Sequence, residues 1–411
     1  MFLGRRVLLP RLGGVPNGAI AARPFASSAN SSMDFLFNPT PEHKMLRNTI
    51  AKFAAERIEP QARQNDIEMR FNTELMRELG DLGVLGVTVS DEDGGAGMDA
   101  TASVIVHHEI SKCDPGFCLA YLAHSVLFVN NFYNSATREQ RERWLPKVLT
   151  GEHIGAMCMS EPGAGTDVLG MSTAAKKLGD EKYVLNGCKT WITNGTVADV
   201  LLVYAKVDGK ITAFVVEKGT PGFTCGTKID KCGMRSSQMC QLFFDNVELD
   251  KTNILGEEGK GMVGMMRNLE IERLTLSAMA IGIADRCVEL MTRYASERQA
   301  FGKPIWNYGQ IQRLIAESYA ETEAAKALTY SVSRSVSPTS NNRLGSDAAK
   351  LFAAPIAKRV ADNTMQVMGG MGYSREMPVE RLWRDAKLLE IGGGTIEAHQ
   401  KNITKDLMKE L

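Results

Sequence analysis

No apolar run in the chain approaches the ~20 residues that a membrane-spanning helix needs, so no span is expected. Neither charge is in excess, because 48 lysines and arginines face 48 aspartates and glutamates. That balance predicts no general pull toward nucleic acid or an anionic membrane, and still allows a local basic site for a phosphorylated ligand. C-x-x-C pairs are lacking among Cys113, Cys118, Cys158, Cys188, Cys225, Cys232, Cys240 and Cys287. A chain of 411 residues can build a core without disulfides, so reduced thiols are expected. Metal-ligand spacing is missing as well. His107 and His108 are adjacent, a poor geometry for one ion on a helix, and no metal is expected. No repeat of 20–50 residues is visible.

The first 33 residues lack acids until Asp34, yet carry Arg5, Arg6, Arg11 and Arg23 and a Ser/Ala-rich stretch. This composition predicts a mitochondrial transit peptide over residues 1–33. From 34 to 154 the pattern is helical, with Met45, Leu46, Ile50, Phe53, Ala54 and Ile58 forming one apolar stripe. Between 155 and 258 the period shortens. "KYVLNGCKTWITNG", "DVLLVYAKV", "ITAFVVEK" and "CQLFFDNVEL" read as strands, with turn pairs at Asn186-Gly187, Asn194-Gly195 and Asp208-Gly209. Helix returns over 259–411. It begins with a long amphipathic segment bearing Val263, Met266, Leu274, Ala278, Ile281 and Leu290, and continues through 310–335, 347–368 and 398–409. The expected fold class is α+β in the order α, β, α.

The segment "AMCMSEPGAGTDVLG" contains Gly163-Ala164-Gly165, but Val168 stands where a dinucleotide fingerprint needs its last glycine, and no βαβ unit surrounds it. The loop nevertheless offers backbone N–H groups and the hydroxyls of Ser160 and Thr166 to a flavin edge or a pyrophosphate. Together with "WITNG", "GMRSSQ", "RQAFGKPI", "QVMGGMGY" and "RDAKLLEIGGGT", it stands in the order and spacing of one family. From about Phe35 to Leu411 the chain resembles the acyl-CoA dehydrogenases. The resemblance implies an N-terminal α-helical domain, a middle β-domain and a C-terminal four-helix-bundle domain. It also implies FAD as cofactor, an acyl-CoA substrate, electron-transferring flavoprotein as electron acceptor, and a homotetramer in the mitochondrial matrix.

Roles follow motif by motif. Met157, Met159, Ser160 and Thr166 fall in the first flavin loop, with Thr166 also toward the CoA phosphates. Trp191, Ile192 and Thr193 would flank the flavin, although a tryptophan on a strand is ordinarily core. Arg298 and Phe301 match the element that holds the FAD of a neighbouring subunit, where an arginine fork suits a diphosphate. Gln366, Gly369 and Gly370 match a second cross-subunit segment, and Thr395 and Glu397 close the list of FAD contacts. Where the family often has a glutamine, this chain has Gly309, so Gln310 takes that role.

The reaction needs a carboxylate to remove the α-proton of an acyl thioester, and hydrogen bonds to the thioester oxygen where enolate charge develops. Many members carry that base before the final Gly-Thr, where this chain has Gly393. The base must then come from elsewhere, and the resemblance to two subgroups, the isovaleryl-CoA and long-chain dehydrogenases, implies that it lies on a helix of the C-terminal domain, here "RNLEIERLTLS", which offers Glu270 and Glu272. At about 100° per residue the two point about 200° apart. Arg267 and Arg273 stand at i−3 and i+3 of Glu270 and would hold it in ion pairs. Glu272 lies between Asn268, Leu269, Thr275 and Leu276, a helix surface without basic neighbours, where its pKa would rise toward a useful range. Glu272 is the expected base. Glu270 and Arg273 are expected on the CoA, and Leu276, Gly392, Gly393 and Gly394 around the acyl group. Within the family the last two motifs resemble the isovaleryl-CoA dehydrogenases most, with long-chain or other short-chain enzymes as the alternative. A FAD-retaining assembly or binding protein without turnover is the reading of another class, and an oxidase a further one.

Overall fold

The computed structural model describes residues 31–337 and 342–409. Residues 1–30, most of the expected transit peptide, lie outside the described residues. The N-terminal helices are α1 (Ser31–Phe37), α2 (Pro41–Phe53), α3 (Glu59–Glu68), α4 (Thr73–Asp81), α5 (Ala100–Cys113), α6 (Pro115–Leu122), α7 (Asn131–Tyr133) and α8 (Arg138–Leu149). Two wide π-helical segments, Ala54–Ile58 and Ala123–Asn130, interrupt them. The strands that follow are β1 (Gly155–Cys158), β2 (Ala174–Leu178), β3 (Lys182–Thr193), β4 (Val200–Val207), β5 (Lys210–Glu217), β6 (Phe223–Cys225), β7 (Met239–Asp250) and β8 (Ile254–Leu255). Next come α9 (Gly261–Glu297), a small hairpin of β9 (Gln299–Ala300) and β10 (Lys303–Pro304), then α10 (Gly309–Ser333), α11 (Arg343–Met368), α12 (Pro378–Leu389) and α13 (Ile396–Leu407). No helix among the described residues is long and apolar enough to cross a membrane.

The eight strands form one sheet in the order β6-β7-β3-β2-β4-β5-β8, with β1 parallel to β4. Along β4, Val200, Leu202 and Tyr204 join a core shared with Phe128, Trp144 and Met265, while Leu201, Val203 and Ala205 join the opposite core. Both faces are covered, which is why this strand reads as a continuous apolar run. Asp208 and Gly209, both left-handed, make the tight hairpin between β4 and β5. Asn186-Gly187 is not a turn, as its sequence suggested. It lies inside β3, where the register against β7 slips. A Cβ on Gly187 would fall 2.4 Å from Thr173 Oγ1, so close backbone packing rather than chain reversal requires this glycine.

Helix α9 is the axis of the molecule. From Glu270 to Ala284 every residue is buried, so this stretch is not the amphipathic surface helix its pattern suggested. One side packs on α10, α11 and α12, and another on α5. A Cβ on Gly282 would lie 2.0 Å from Ser111 Oγ, which shows how closely α5 and α9 approach. Near its start, Val263 and Met266 are exposed instead of core-facing. In α2, Met45 is likewise exposed and His43 is buried in its place, bonding Asp99. Helices α9 to α12 form the four-helix bundle, and α13 packs against α11. α12 lies outside the helical segments expected from the sequence, although Pro378 suits a first turn and Val379, Leu382, Ala386 and Leu389 are its buried face. All eight cysteines are free.

Candidate active site

Glu270 and Glu272 on α9 face different surroundings, as their angular separation requires. Glu270 Oε2 accepts from the backbone N–H of Asn342 at 3.0 Å. Its expected ion pairs with Arg267 and Arg273 do not form. Arg273 is drawn instead to the buried Asp347, 3.2 Å away, and Arg267 is exposed. Glu272 is 7% exposed, and its Oε2 has no hydrogen-bond partner among the described residues. Burial raises its pKa from 4.5 to about 7, with the charges of Arg273 and Lys350 opposing part of that shift. Basic neighbours thus exist after all: Arg273, adjacent in the chain, and Lys350 on α11, of which only the second could not be read from the sequence around Glu272.

Gly393 faces this carboxylate. A Cβ built on it would stand 3.4 Å from Glu272 Oε1 and 2.1 Å from Leu276 Cδ1. The side chains of α9 fill the volume that a side chain at 393 would need. Gly393 and Gly394 also take left-handed φ values of 66° and 101°. The Gly392–Gly394 loop is held from below. Lys350 Nζ donates to Gly392 O at 2.8 Å and to Gly394 O at 2.7 Å. His399 Nε2 lies 3.0 Å from Gly394 O, and its Nδ1 faces the Asp347 carboxylate. Gly393→Ala is expected to cost about 1–2 kcal/mol through its left-handed backbone alone and to push Leu276 aside. Chemical denaturation and a raised KM for acyl-CoA would register the two effects.

The glycine-rich loop after β1 is fastened to β3 by a buried ion pair. Lys189 Nζ lies 2.8 Å from Glu161 Oε1 and donates to Met159 O at 3.0 Å. Glu161 also accepts from the backbone N–H of Ser172 and of Thr173. Burial alone would raise the Glu161 pKa, but the bonds from Lys189, Thr173 and Ser172 pull it down to about 2. The N–H of Thr190 donates to Ser160 O at 2.9 Å. Immediately afterwards β3 bulges against β7, and Trp191 adopts φ 59° with 60% of its surface exposed. It is not core. Ile192 points into the sheet core, so only its backbone is open to a ligand. Half-buried Met157, Met159, Ser160 and Thr193 accompany the free indole face, while Thr166, Gly163 and Gly165 are exposed. An open aromatic plane beside unfilled donors fits a flavin ring.

Asn130 and Asn131, at the end of the second π-helical segment, link this loop to α9. Asn131 Nδ2 lies 3.6 Å from Met157 Sδ and donates to Tyr204 Oη at 2.8 Å. Asn130 Nδ2 donates to Asn268 Oδ1 at 2.8 Å, one helical turn before Glu272. A wide turn of this kind is frequent at functional sites, and here it delivers two consecutive side chains to one seam.

The remaining expected contacts lie elsewhere. Arg298 and Phe301 sit at the β9–β10 hairpin, where Phe301 is 96% exposed. Gln310, Gln366, Gly369 and Gly370 are exposed, Gly369 with φ 58°. Thr395 caps α13 through the N–H of Ala398, and Glu397 is exposed on its first turn. The chain therefore brings together Glu272, Leu276 and Gly392–Gly394, and separately the loop–bulge pair, and leaves the Arg298 and Gln366 groups on its outside. Sequence reasoning missed Asp347, Lys350 and His399, and also Glu161 with Lys189. The only available signal was a lysine amid the apolar positions Ala349, Ala353 and Ala354.

Three family models match the chain: "Acyl-CoA dehydrogenase, N-terminal domain" over residues 40–152, the middle domain over 156–247 and the C-terminal domain over 259–408. A mitochondrial isovaleryl-CoA dehydrogenase of Oryza sativa subsp. japonica is 41% identical over 396 residues, covering 95% of each chain. A mitochondrial 2-methylacyl-CoA dehydrogenase of Solanum tuberosum is 38% identical, covering 89% of this chain and 90% of that protein. The solved structure of butyryl-CoA dehydrogenase from Megasphaera elsdenii has a TM-score of 0.87 at 34% identity, covering 90% of this chain and 98% of that one. An acyl-CoA dehydrogenase complexed with FAD, from Bacillus anthracis, has a TM-score of 0.85 at 30% identity, covering 90% and 67%.

Proposed function

The chain belongs to the acyl-CoA dehydrogenase family, a FAD-dependent group of oxidoreductases acting on CH–CH bonds, and from that premise we propose that it converts isovaleryl-CoA to 3-methylcrotonyl-CoA, a step of leucine breakdown. The observation that carries the reading is the placement of the Glu272 carboxylate beside Gly393, in space that a side chain at 393 would otherwise take. Bound FAD supplies the hydride acceptor for Cβ of the substrate. Glu272 takes the α-proton, and the Gly393 N–H donates to the thioester oxygen as enolate charge grows there. Leu276 limits the acyl pocket, and because Leu276 and Glu272 already fill the volume beside Gly393, room for the branching carbon is left at the side-chain-free Gly392. Met157, Met159, Ser160, Thr166, Trp191, the Ile192 backbone, Thr193, Thr395 and Glu397 are proposed FAD contacts. Arg298, Phe301, Gln310, Gln366, Gly369 and Gly370 would serve the FAD of a neighbouring subunit. Their position outside the Glu272 group suits a homotetramer. Glu270 and Arg273 are proposed to serve the CoA. Electron-transferring flavoprotein as acceptor and the mitochondrial matrix as location complete the proposal.

The test is anaerobic mixing of the FAD-loaded protein with isovaleryl-CoA, 2-methylbutyryl-CoA, butyryl-CoA and palmitoyl-CoA, following flavin bleaching. Isovaleryl-CoA is expected to bleach it fastest. Faster bleaching by 2-methylbutyryl-CoA would favour the second reading, a 2-methylacyl-CoA dehydrogenase. That reading is kept because of the Solanum tuberosum relative. No bleaching by any of the four would favour a binding protein without turnover. A base must be ionised to act. With the Glu272 pKa near 7, kcat/KM for isovaleryl-CoA is expected to rise as pH increases through about 7 and then level. A flat profile from pH 5.5 to 8.5 would remove Glu272 as the titrating base.

A further inference from the structure

Lys350 stands in the third turn of α11 among buried alanines, and its side chain is fully buried. Burying an ammonium is costly unless it is paired. Yet Lys350 forms no ion pair within 4.0 Å among the described residues, and both of its hydrogen bonds go to peptide carbonyls, those of Gly392 and Gly394. Those carbonyls flank Gly393 on either side.

The Gly392 carbonyl and the Gly393 N–H belong to one peptide plane. The described residues contain no cis peptide bonds, and in a trans peptide the carbonyl and the N–H point in opposite directions. Fixing the oxygen on Lys350 therefore fixes the direction of the N–H on the other side. A cationic donor on the oxygen also draws electron density from the amide, and polarised chains of hydrogen bonds strengthen one another. Gly394 O has a second holder in His399, whereas Lys350 is the only side chain donating to Gly392 O among the described residues. Gly393 has no side chain of its own to hold it, and glycine backbone is otherwise the most mobile.

We propose that Lys350 is a positioning residue for the thioester carbonyl, orienting and polarising the Gly392–Gly393 peptide so that the Gly393 N–H meets the substrate oxygen as a strengthened donor. This rests on the reading of the Gly393 N–H as that donor. Chemically, the enolate charge is shared through one peptide with a buried cation that never touches substrate.

The experiment uses the FAD-loaded protein with 3-methylcrotonyl-CoA labelled with carbon-13 at the thioester carbonyl, read by infrared difference spectroscopy. In the unmodified protein the bound carbonyl band is expected below its position in free ligand. Lys350→Met is expected to lose most of that displacement, while Kd for the ligand changes by less than about threefold. Turnover of isovaleryl-CoA is expected to fall about 10- to 100-fold, less than the loss on deleting a direct donor. Lys350→Arg should restore the band. If Lys350→Met does not fold, Lys350→Gln, which keeps two amide donors without the charge, is expected to show an intermediate band. A band in Lys350→Met, or failing that in Lys350→Gln, identical to that of the unmodified protein would overturn the proposal. Absence of any displacement in the unmodified protein would instead overturn the Gly393 donor reading beneath it.

Discussion

Glu272→Gln is expected to reduce turnover of isovaleryl-CoA by about 10²–10⁴-fold, the range that a general base contributes. It should at the same time make the protein more stable in alkali. The sign follows from linkage. The folded-state pKa of Glu272 is raised from 4.5 to about 7, so the neutral form is the one the fold prefers. That preference is fully present below pH 4.5 and is lost as pH rises through about 7. Above that window the ionised carboxylate costs roughly 3 kcal/mol. Glutamine removes the cost of ionisation, although its amide N–H groups enter a place where Glu272 Oε2 finds no partner. The cleanest readout is therefore the difference between variant and parent across pH. Denaturant midpoints should diverge in favour of Glu272→Gln as pH rises from 4.5 to about 7 and stay apart at higher pH. A constant difference would mean that Glu272 does not titrate in the folded protein, and full turnover would remove its catalytic role.

Lys189→Met should weaken both the fold and the hold on FAD. The Lys189–Glu161 pair is buried on both sides, and removing one partner of such a pair typically costs about 3–5 kcal/mol because the other charge is left without compensation. Glu161 keeps its bonds from Ser172 and Thr173, so the lower end of that range is expected. The same ammonium holds Met159 O, and the neighbouring Thr190 N–H holds Ser160 O. The loop carrying Met157, Met159 and Ser160 would then come loose from the Trp191 bulge. The ratio of flavin to protein absorbance after purification should fall well below that of the parent, with a lower denaturant midpoint. Full flavin content at unchanged stability would show that the pair fastens nothing.

How far these features were legible in the sequence depends on where their causes lie. The strands β3, β4, β5 and β7 and the helical ends follow from periodicity, which is local. Glu272 was found through helix spacing and through the missing carboxylate at Gly393, both visible in one dimension. Its burial was not, because it depends on α5 and α11 closing over α9 from distant parts of the chain. The same coverage explains why α9 reads as amphipathic and is not, and why Glu270 bonds Asn342 instead of its sequence neighbours. Trp191 is exposed because β3 bulges at that point, a register event set jointly with β7. Asp347, Lys350 and His399 are ordinary polar residues until the fold brings α11 and α13 beneath the Gly392–Gly394 loop. α12 could have been found, since its proline start and apolar spacing are plain.

One core holds residues from both ends of the chain: Ile105, Phe117 and Leu122 from the N-terminal helices pack in the same cluster as Leu274, Ala278, Val360 and Leu382. The sheet that lies between them in sequence has one core of its own and shares a second with the N-terminal helices and Met265. During synthesis at ~5–20 residues per second, the N-terminal helices would wait on the order of ten seconds or more for α9 to emerge. Their apolar faces stay uncovered for that interval, while the sheet can already close. A chain that emerges N-terminus first, from the ribosome or from a membrane channel, is thus most prone to aggregate when the middle strands are complete and the second half of the helical core has not yet appeared.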